Sequence, residues 1–542
     1  MSAQVKPSKK EGFIARALNS VERVGNALPM KIIIVGGVAG GASAAARLRR
    51  NDEHAEIILV EKGEYISFAN CGLPYYIGGT IPEKEALLLQ TPESFYARFR
   101  VDVRVLQEVV AVDTVAKTVQ VKNHRTGEVY TESYDKLVLS PGASPIRPGL
   151  PGAEKNHVFT LRNIPDTYAI REHIDTHKPR SCAVIGAGFI GMEMAENLAQ
   201  LGLSVNIIEA APHVMAPIDL DMAHEVHNYI RSKGLGLYLG QKCTGFTEHS
   251  VLLDSGASVP ADMVMMSIGV APETGFLKES GIQLGSRGEI LVNEWMQTSA
   301  KDVYAVGDAV AVQNLVSGKP ALIPLASPAN KQGRLVADHI CGKKRSYKGS
   351  QGTSILKFFD LTVAVTGEKE ESLKAAGIPY RKSYTYSSSH AGYYPGATTM
   401  AIKLLFEENG RILGAQIVGY DGVDKRIDSL ANAIRFGLSV YDLQEMELAY
   451  APPFSSAKDP VNMAGYVAGN ILDSMMVPFY VENIPGIPSD ALCIDVRNEE
   501  EYGAGHIKGF DNIPLDCLRE HLPRLDLTKK IYVNCQVGLL ER

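Results

Sequence analysis

An α/β fold built on two Rossmann-like nucleotide-binding units is predicted by three observations. A glycine cluster follows an apolar run near residue 36, a second follows another near residue 186, and a strand-ending glutamate stands behind each. The first unit opens with the apolar run 32–35, which reads as a strand buried on both faces. Gly36, Gly37, Val38, Ala39, Gly40 and Gly41 come next, then an alanine-rich helical stretch over 42–50, then the apolar run 57–60 closing in Glu61. This is the order of a βαβ unit. The second unit repeats it: 182–185, then Gly186, Ala187, Gly188, Phe189, Ile190 and Gly191, a helix through 201, and 205–208 closing in Glu209. Residues 351–470 mix strands and helices around a tyrosine-rich loop at 390–397. The stretch 477–489, with Pro478, Pro485 and Pro488, reads as a linker, and 491–542 starts a further small α/β unit.

At roughly 150 residues per domain, the 542 residues call for three to four domains. Lys and Arg number 55 against 61 Asp and Glu, a net charge of −6 without a long block of one sign, which argues against a nucleic-acid partner. No run approaches the ~20 apolar residues of a membrane-spanning helix, so no membrane role is expected. Residues 1–29 carry Lys6, Lys9, Lys10, Arg16 and Arg23 but no signal-peptide core, and read as a disordered leader or an upstream start. The seven cysteines, at 71, 182, 243, 341, 493, 517 and 535, are odd in number and scattered. They make no disulfide framework, which points to a reducing, cytoplasmic setting. No metal centre is expected.

A dinucleotide pyrophosphate is held by backbone N–H groups at a helix N-terminus, so glycines are needed where the turn is tight and where phosphate approaches. Gly186, Gly188 and Gly191 fit that spacing in full, and Glu209 stands where a carboxylate accepts from ribose hydroxyls. The carboxylate repels a 2′-phosphate and Ala210 and Ala211 follow it, which favours NADH, with NADPH remaining possible. The first cluster departs from the pattern by placing Val38 at the middle glycine, while Glu61 restores the ribose logic. Two dinucleotide sites in one chain point to a flavin and a nicotinamide exchanging electrons.

Ser67 and Asn70 flank Cys71 in the run Ser-Phe-Ala-Asn-Cys-Gly-Leu-Pro, and no second cysteine lies within four residues. Any sulfur chemistry here uses one cysteine and an external thiol, and a helix N-terminus at this point is expected to lower the thiol pKa. Residues 139–145 and 304–309 resemble the crossover and the later flavin motif of flavoprotein disulfide reductases. Together with the two fingerprints and the Cys71 segment, they make residues 30–478 resemble the coenzyme A-disulfide reductase family, the single-cysteine branch of the pyridine nucleotide-disulfide oxidoreductases.

The resemblance implies an FAD domain in two segments (30–150 and 276–350), an inserted NAD(P) domain (151–275), a dimerisation domain (351–478) and a linker (479–489). It assigns Lys62, Ser140, Gly142, Gly307 and Asp308 to FAD and adds Gly269 to the cofactor contacts. Ser43, Arg47, Arg50, Ser67, Asn70 and Lys458 fall where the family contacts coenzyme A, as substrate or bound ligand. Tyr393, Tyr394 and Tyr450 match two tyrosine segments that reach the active site of a homodimeric partner. Tyr394 is expected to be catalytic with Tyr450, and Tyr393 to contact substrate, although either of the neighbours can face inward.

Residues 490–542 resemble an incomplete rhodanese (sulfurtransferase) domain, with Cys535 at the persulfide-carrying position. Gly538 is kept, Leu540 replaces the loop arginine, and the sequence ends at Arg542, so a truncated end and a poor sulfur carrier are expected. The reading as a whole is a flavoprotein reducing persulfide, polysulfide or coenzyme A persulfide or disulfide through Cys71. Its rivals are an NADH oxidase with oxygen as acceptor and a sulfurtransferase working through Cys535.

Overall fold

The structure is a computed structural model that describes residues 29–526 and 528–536. The expectations for residues 1–28, Gly538, Leu540 and Arg542 lie outside the described residues. The first glycine unit is built on strand β1 (Lys31–Val35), helix α1 (Ala39–Asn51) and strand β2 (Glu56–Glu61). Its five-stranded parallel sheet runs Val303–Ala305, Lys136–Leu139, β1, β2, Asp102–Val105. A strand from beyond residue 300 therefore completes a sheet begun at residue 31. Four of the five β1 residues are buried, which is why the strand appears in the sequence as an unbroken apolar run.

The second unit uses β3 (Ser181–Ile185) and β4 (Ser204–Glu209), in the sheet order Gly236–Leu239, β4, β3, Met263–Met266, Val158–Phe159. Outward from the glycine-bearing strand, the first four strands repeat the arrangement of the first sheet. The two units are joined where Ala143–Pro145 pairs antiparallel with Val270–Pro272, so the chain leaves and re-enters side by side.

The third unit is an antiparallel five-stranded sheet, Ser354–Phe358, Leu361–Gly367, Ile412–Gly419, Thr399–Phe406, Arg381–Ser388. Helices Val423–Phe436 and Pro460–Leu472 share its apolar core. The C-terminal unit holds a three-stranded parallel sheet, Asp511–Asn512, Leu492–Asp495, Ile531–Asn534. The expected linker is not a free tether: Val481–Gly486 forms a 3₁₀ turn, and Tyr480 donates a hydrogen bond to the Lys382 carbonyl oxygen at 2.8 Å. No helix among the described residues is long and apolar enough to cross a membrane.

Candidate active site

The two glycine turns are near copies. Gly36 and Gly186 sit at φ +93° and +94°, a region that excludes side chains. A Cβ on Gly41 or Gly191 would lie 1.9 Å from the carbonyl oxygen of Gly36 or Gly186, so helix and strand meet only across glycine. The middle position is different. Gly188 caps helix α2 (Phe189–Gln200) at φ −78°, and a Cβ there would meet nothing within 4 Å. Val38 caps α1 at φ −100°, which any residue adopts, and this is why the first fingerprint can dispense with its central glycine.

Neither α1 nor α2 has a side-chain cap, so the first-turn N–H groups remain available to an anion. Each acid clamps its turn in the same way. Glu61 accepts from the N–H of Gly37 and of Gly63, both at 2.8 Å, and Glu209 from Ala187 at 2.7 Å and Ala211 at 2.8 Å. Ala39 opens α1, and Phe189 and Ile190 open α2. These cradles fit two dinucleotides.

Around the first cradle, Ser140 donates its N–H to the Val35 oxygen at 2.7 Å, and its hydroxyl faces Gly40 and Gly307. Asp308 stands in the turn after Val303–Ala305 and makes no hydrogen bond among the described residues; burial pushes its carboxyl up while the Arg162 charge pulls it down. This carboxylate is free to accept from a bound hydroxyl chain. Lys62 is instead paired to Glu273, beside Gly142 and Gly269, at the two-strand crossover.

Cys71 is tied to the first cradle by one backbone bond, from the Ser67 N–H to the Gly37 oxygen at 2.8 Å. The thiol lies within the 3₁₀ turn Asn70–Gly72, ahead of a helix of only five residues, Leu73–Ile77. The expected lowering of its pKa is overturned here: surrounding protein pushes the thiol up, and the nearby carboxylates of Glu193 and Asp308 add to that. Glu193, on α2 of the second unit, is pushed up to about 7, first by burial; Tyr75, whose hydroxyl donates to it at 3.4 Å, is pushed up to about 12, again first by burial. Cys71, Tyr75, Glu193 and Asp308 thus converge from both nucleotide units. Glu193 and Tyr75 were not singled out from the sequence; the signal was one acid two residues past Gly191 on a mostly apolar helix.

A cavity of about 340 Å³ beside α1 is lined by Ser43, Arg47, Arg50 and Ser67, and also by Gln90, Arg98, Asn330 and Arg334, which the sequence reading missed. Asn70 stays on the Cys71 turn and does not line it. Arg47 is already neutralised by Asp338, at 2.7 and 3.2 Å, while Ser43 donates to Asn330. Arg50 and Arg98 flank the Phe99 ring at 5.2 and 5.3 Å, and no acid pairs with either or with Arg334 among the described residues. The cavity wall is therefore cationic.

Of the two neighbouring tyrosines, Tyr393 is the one that meets Tyr450. Tyr450 hydrogen-bonds Tyr393, 76% exposed, at 2.7 Å, whereas Tyr394 turns onto the His390 ring at 5.6 Å. Neighbouring residues of a tight turn point in different directions, and the outward one meets Tyr450. Both segments are held by the buried Arg426, which donates to the Ser389 oxygen, Ser455 and Asp459, each at 3.0 Å. Lys458, next to Asp459, is exposed. No hydrogen bond joins these tyrosines to Cys71 within one chain among the described residues.

Cys535 follows the strand Ile531–Asn534 and is half-buried. The buried Asp495 beside it takes Asn534 at 3.1 Å and Arg497 at 2.7 Å.

The profile of the pyridine nucleotide-disulphide oxidoreductase family matches residues 30–333, and that of the family's dimerisation domain matches 353–460. Coenzyme A disulfide reductase from Staphylococcus haemolyticus is 39% identical over 443 residues, covering 81% of this chain and 100% of that protein. The structure is similar to that of reduced Bacillus anthracis CoADR-RHD, with 51% identity and a TM-score of 0.92 over 94% of this chain and 92% of the other. A NAD-dependent persulfide reductase from A. fulgidus is also similar, with 35% identity and a TM-score of 0.88 over 93% and 94%.

Proposed function

The chain belongs to the pyridine nucleotide-disulphide oxidoreductase family, and from that premise we propose that it reduces coenzyme A persulfide, polysulfide or coenzyme A disulfide with NADH through Cys71. One observation carries the reading. A lone cysteine, free like the other six, sits on a loop hydrogen-bonded to the FAD cradle and within electrostatic reach of groups from both nucleotide units.

Residues 186–191 and Glu209 bind and orient NADH, and residues 36–41, Glu61 and Asp308 hold FAD. When bound, the flavin supplies the two-electron relay between nicotinamide and sulfur. Cys71 as thiolate attacks the sulfane sulfur of CoA–S–SH, forming Cys71–S–SH and releasing CoA–S⁻. The overall balance is NADH + H⁺ + CoA–S–SH → NAD⁺ + CoA–SH + H₂S, and a coenzyme A disulfide yields two CoA–SH in the same way. A thiolate is a good enough leaving group to need no strong acid. Protonated Glu193 removes one of the two charges that oppose the Cys71 thiolate.

The free guanidinium groups of Arg50, Arg98 and Arg334 match the phosphates of coenzyme A. In a homodimer, Tyr393 and Tyr450 of one protomer would donate to the departing sulfur at Cys71 of its partner, and the exposure of this pair on the dimerisation domain supports that placing. Here Tyr393 takes the role first given to Tyr394. The cysteines, kept as thiols, suit a cytoplasmic setting. The C-terminal unit is read as rhodanese-like, with Cys535 at its sulfur-carrying position, and it tilts the substrate toward sulfane sulfur.

Anaerobic NADH consumption with coenzyme A persulfide beside coenzyme A disulfide tests this reading. Faster turnover with persulfide is expected. Turnover with disulfide alone would make the enzyme a thiol-maintenance reductase, and turnover only on admitting air would make it an NADH oxidase.

A further inference from the structure

A set of hydrogen bonds and ion pairs, ending in ring contacts of Phe479, runs from the second glycine turn to the C-terminal unit. The N–H of Ala187 is held by Glu209, and the Ala187 oxygen accepts from the Met215 N–H at 2.8 Å. Met215 is buried with φ at +54°, a conformation that a side-chain-bearing residue keeps only when its surroundings hold it. The Met215 oxygen accepts from Ile218 at 2.9 Å, and the next residue, Asp219, begins helix Leu220–Ser232.

Asp219 is fixed from the third unit. Its N–H donates to Gln416 at 2.8 Å, and its carboxylate accepts from Gln416 at 2.6 Å, from the Glu370 N–H at 3.1 Å and from Lys403 at 2.9 Å. The Lys403 side chain is completely buried and also pairs with Asp221, at 2.8 Å, and with Glu370. Glu370 binds Lys382 at 3.1 Å. Burial alone would raise the Glu370 carboxyl, yet hydrogen bonds from Lys403 and Tyr380 hold it down at about 2, so this acid stays charged.

Lys382 then takes up the segment that leads to the C-terminal unit. It bonds Glu482 at 3.0 Å and lies 4.4 Å from the centre of the Tyr480 ring. The preceding residue, Phe479, points the other way, onto Phe510 at 6.2 Å and Tyr532 at 5.4 Å in the C-terminal unit.

We propose that Asp219, Glu370 and Lys403 are positioning residues for the NADH-binding turn, and that Phe479, Tyr480 and Glu482 form a two-sided rivet that couples this turn to the seating of the C-terminal unit. The network holds Ile218 and Met215, these hold the Ala187 peptide, and that peptide belongs to the pyrophosphate cradle. The inference rests on the reading that residues 186–191 bind NADH. Its functional consequence is a control on reductant affinity rather than on sulfur chemistry.

The test uses the full-length FAD-loaded enzyme. Asp219→Asn keeps the shape and removes the charge. It is expected to raise the KM for NADH more than threefold, inside the roughly two- to thirtyfold span open to coupling of this kind, with kcat and the KM for the sulfur substrate within twofold. The pair Tyr480→Ala with Glu482→Gln leaves Asp219, Glu370 and Lys403 themselves unaltered, removes the two contacts that grip Lys382, and is expected to speed amide hydrogen exchange over 211–219. An unchanged KM for NADH in Asp219→Asn, or a parallel loss of kcat and both KM values, would overturn the positioning role. Unchanged exchange in the paired variant would overturn the coupling, and this readout stands even if Asp219→Asn fails to fold. If NADH gives the wild-type enzyme no exchange protection at 186–191, the nucleotide reading fails instead.

Discussion

Replacing Glu209 by Gln and Ala210 by Arg should turn the enzyme from NADH toward NADPH, and the size of the change follows from the geometry. The half-buried Glu209 carboxylate is locked by the N–H groups of Ala187, at 2.7 Å, and Ala211, at 2.8 Å, so it cannot swing away from an incoming group. A 2′-phosphate against it brings like charges to about 4 Å, which costs about 1 kcal/mol per pair of unit charges in bulk water and about 4 kcal/mol at a surface-like dielectric. A half-buried site lies between, at about 2 kcal/mol, or roughly 30-fold in kcat/KM. Glu209→Gln recovers that amount, and the guanidinium introduced by Ala210→Arg adds about 1.5 kcal/mol by pairing with the phosphate. The ratio of kcat/KM for NADPH to that for NADH should therefore rise by roughly 300-fold in the double variant. Steady-state kinetics with both nucleotides, on the wild type, each single variant and the double, gives the number. A ratio that moves less than fivefold would refute the reasoning, because Glu209 would then serve only to staple the turn.

Two further predictions concern the sulfur site and the cationic cavity. As the pH rises through neutrality, Glu193, pushed up to about 7 by burial, becomes charged and opposes the Cys71 thiolate; Glu193→Gln removes that charge, so the pH midpoint for iodoacetamide alkylation of Cys71 should fall, while burial still holds it above that of an exposed thiol. A midpoint that stays or climbs contradicts the electrostatic account. Arg98→Ala and Arg334→Ala should each raise the KM for coenzyme A substrates by roughly 10- to 100-fold, the worth of one charge-assisted hydrogen bond, while the KM for a polysulfide lacking coenzyme A stays the same. An equal effect on both substrates would mean that these arginines support the fold instead of reading phosphate.

Both nucleotide units were legible in the sequence because parallel strands buried on two faces leave unbroken apolar runs, and a tight strand-to-helix turn leaves its glycines in view. Even the irregular Val38 has a local cause: its backbone is one any residue adopts, whereas Gly36 is compelled by its positive φ and Gly37, Gly40 and Gly41 by close contacts. What the sequence hid depends on side-chain direction or on distant parts of the chain. Glu193 gains its meaning only when α2 turns it toward Tyr75 and Cys71. Arg98 and Arg334 meet Arg50 through folding and share no spacing with it. Tyr393 and Tyr394 are neighbours in a turn whose orientation depends on the buried Arg426, more than 30 residues downstream. The prolines of 477–489 suggested a loose connection, whereas Phe479 and Tyr480 grip a different unit on each side. The Cys71 thiol sits near a helix start that favours the thiolate, yet burial by parts of the chain remote in sequence, with the Glu193 and Asp308 carboxylates adding to it, pushes the thiol up.

The central claim is that sulfur reduction passes through Cys71. The most direct measurement mixes NADH, under anaerobic conditions, with wild-type and Cys71→Ser protein, then adds coenzyme A persulfide and follows sulfide release. NADH should bleach the yellow absorbance of both proteins alike, since the nucleotide cradles are untouched, and the serine variant should then release sulfide at least a thousandfold more slowly, on the order of the loss of a catalytic nucleophile. Sulfide release by Cys71→Ser at the wild-type rate would contradict the account.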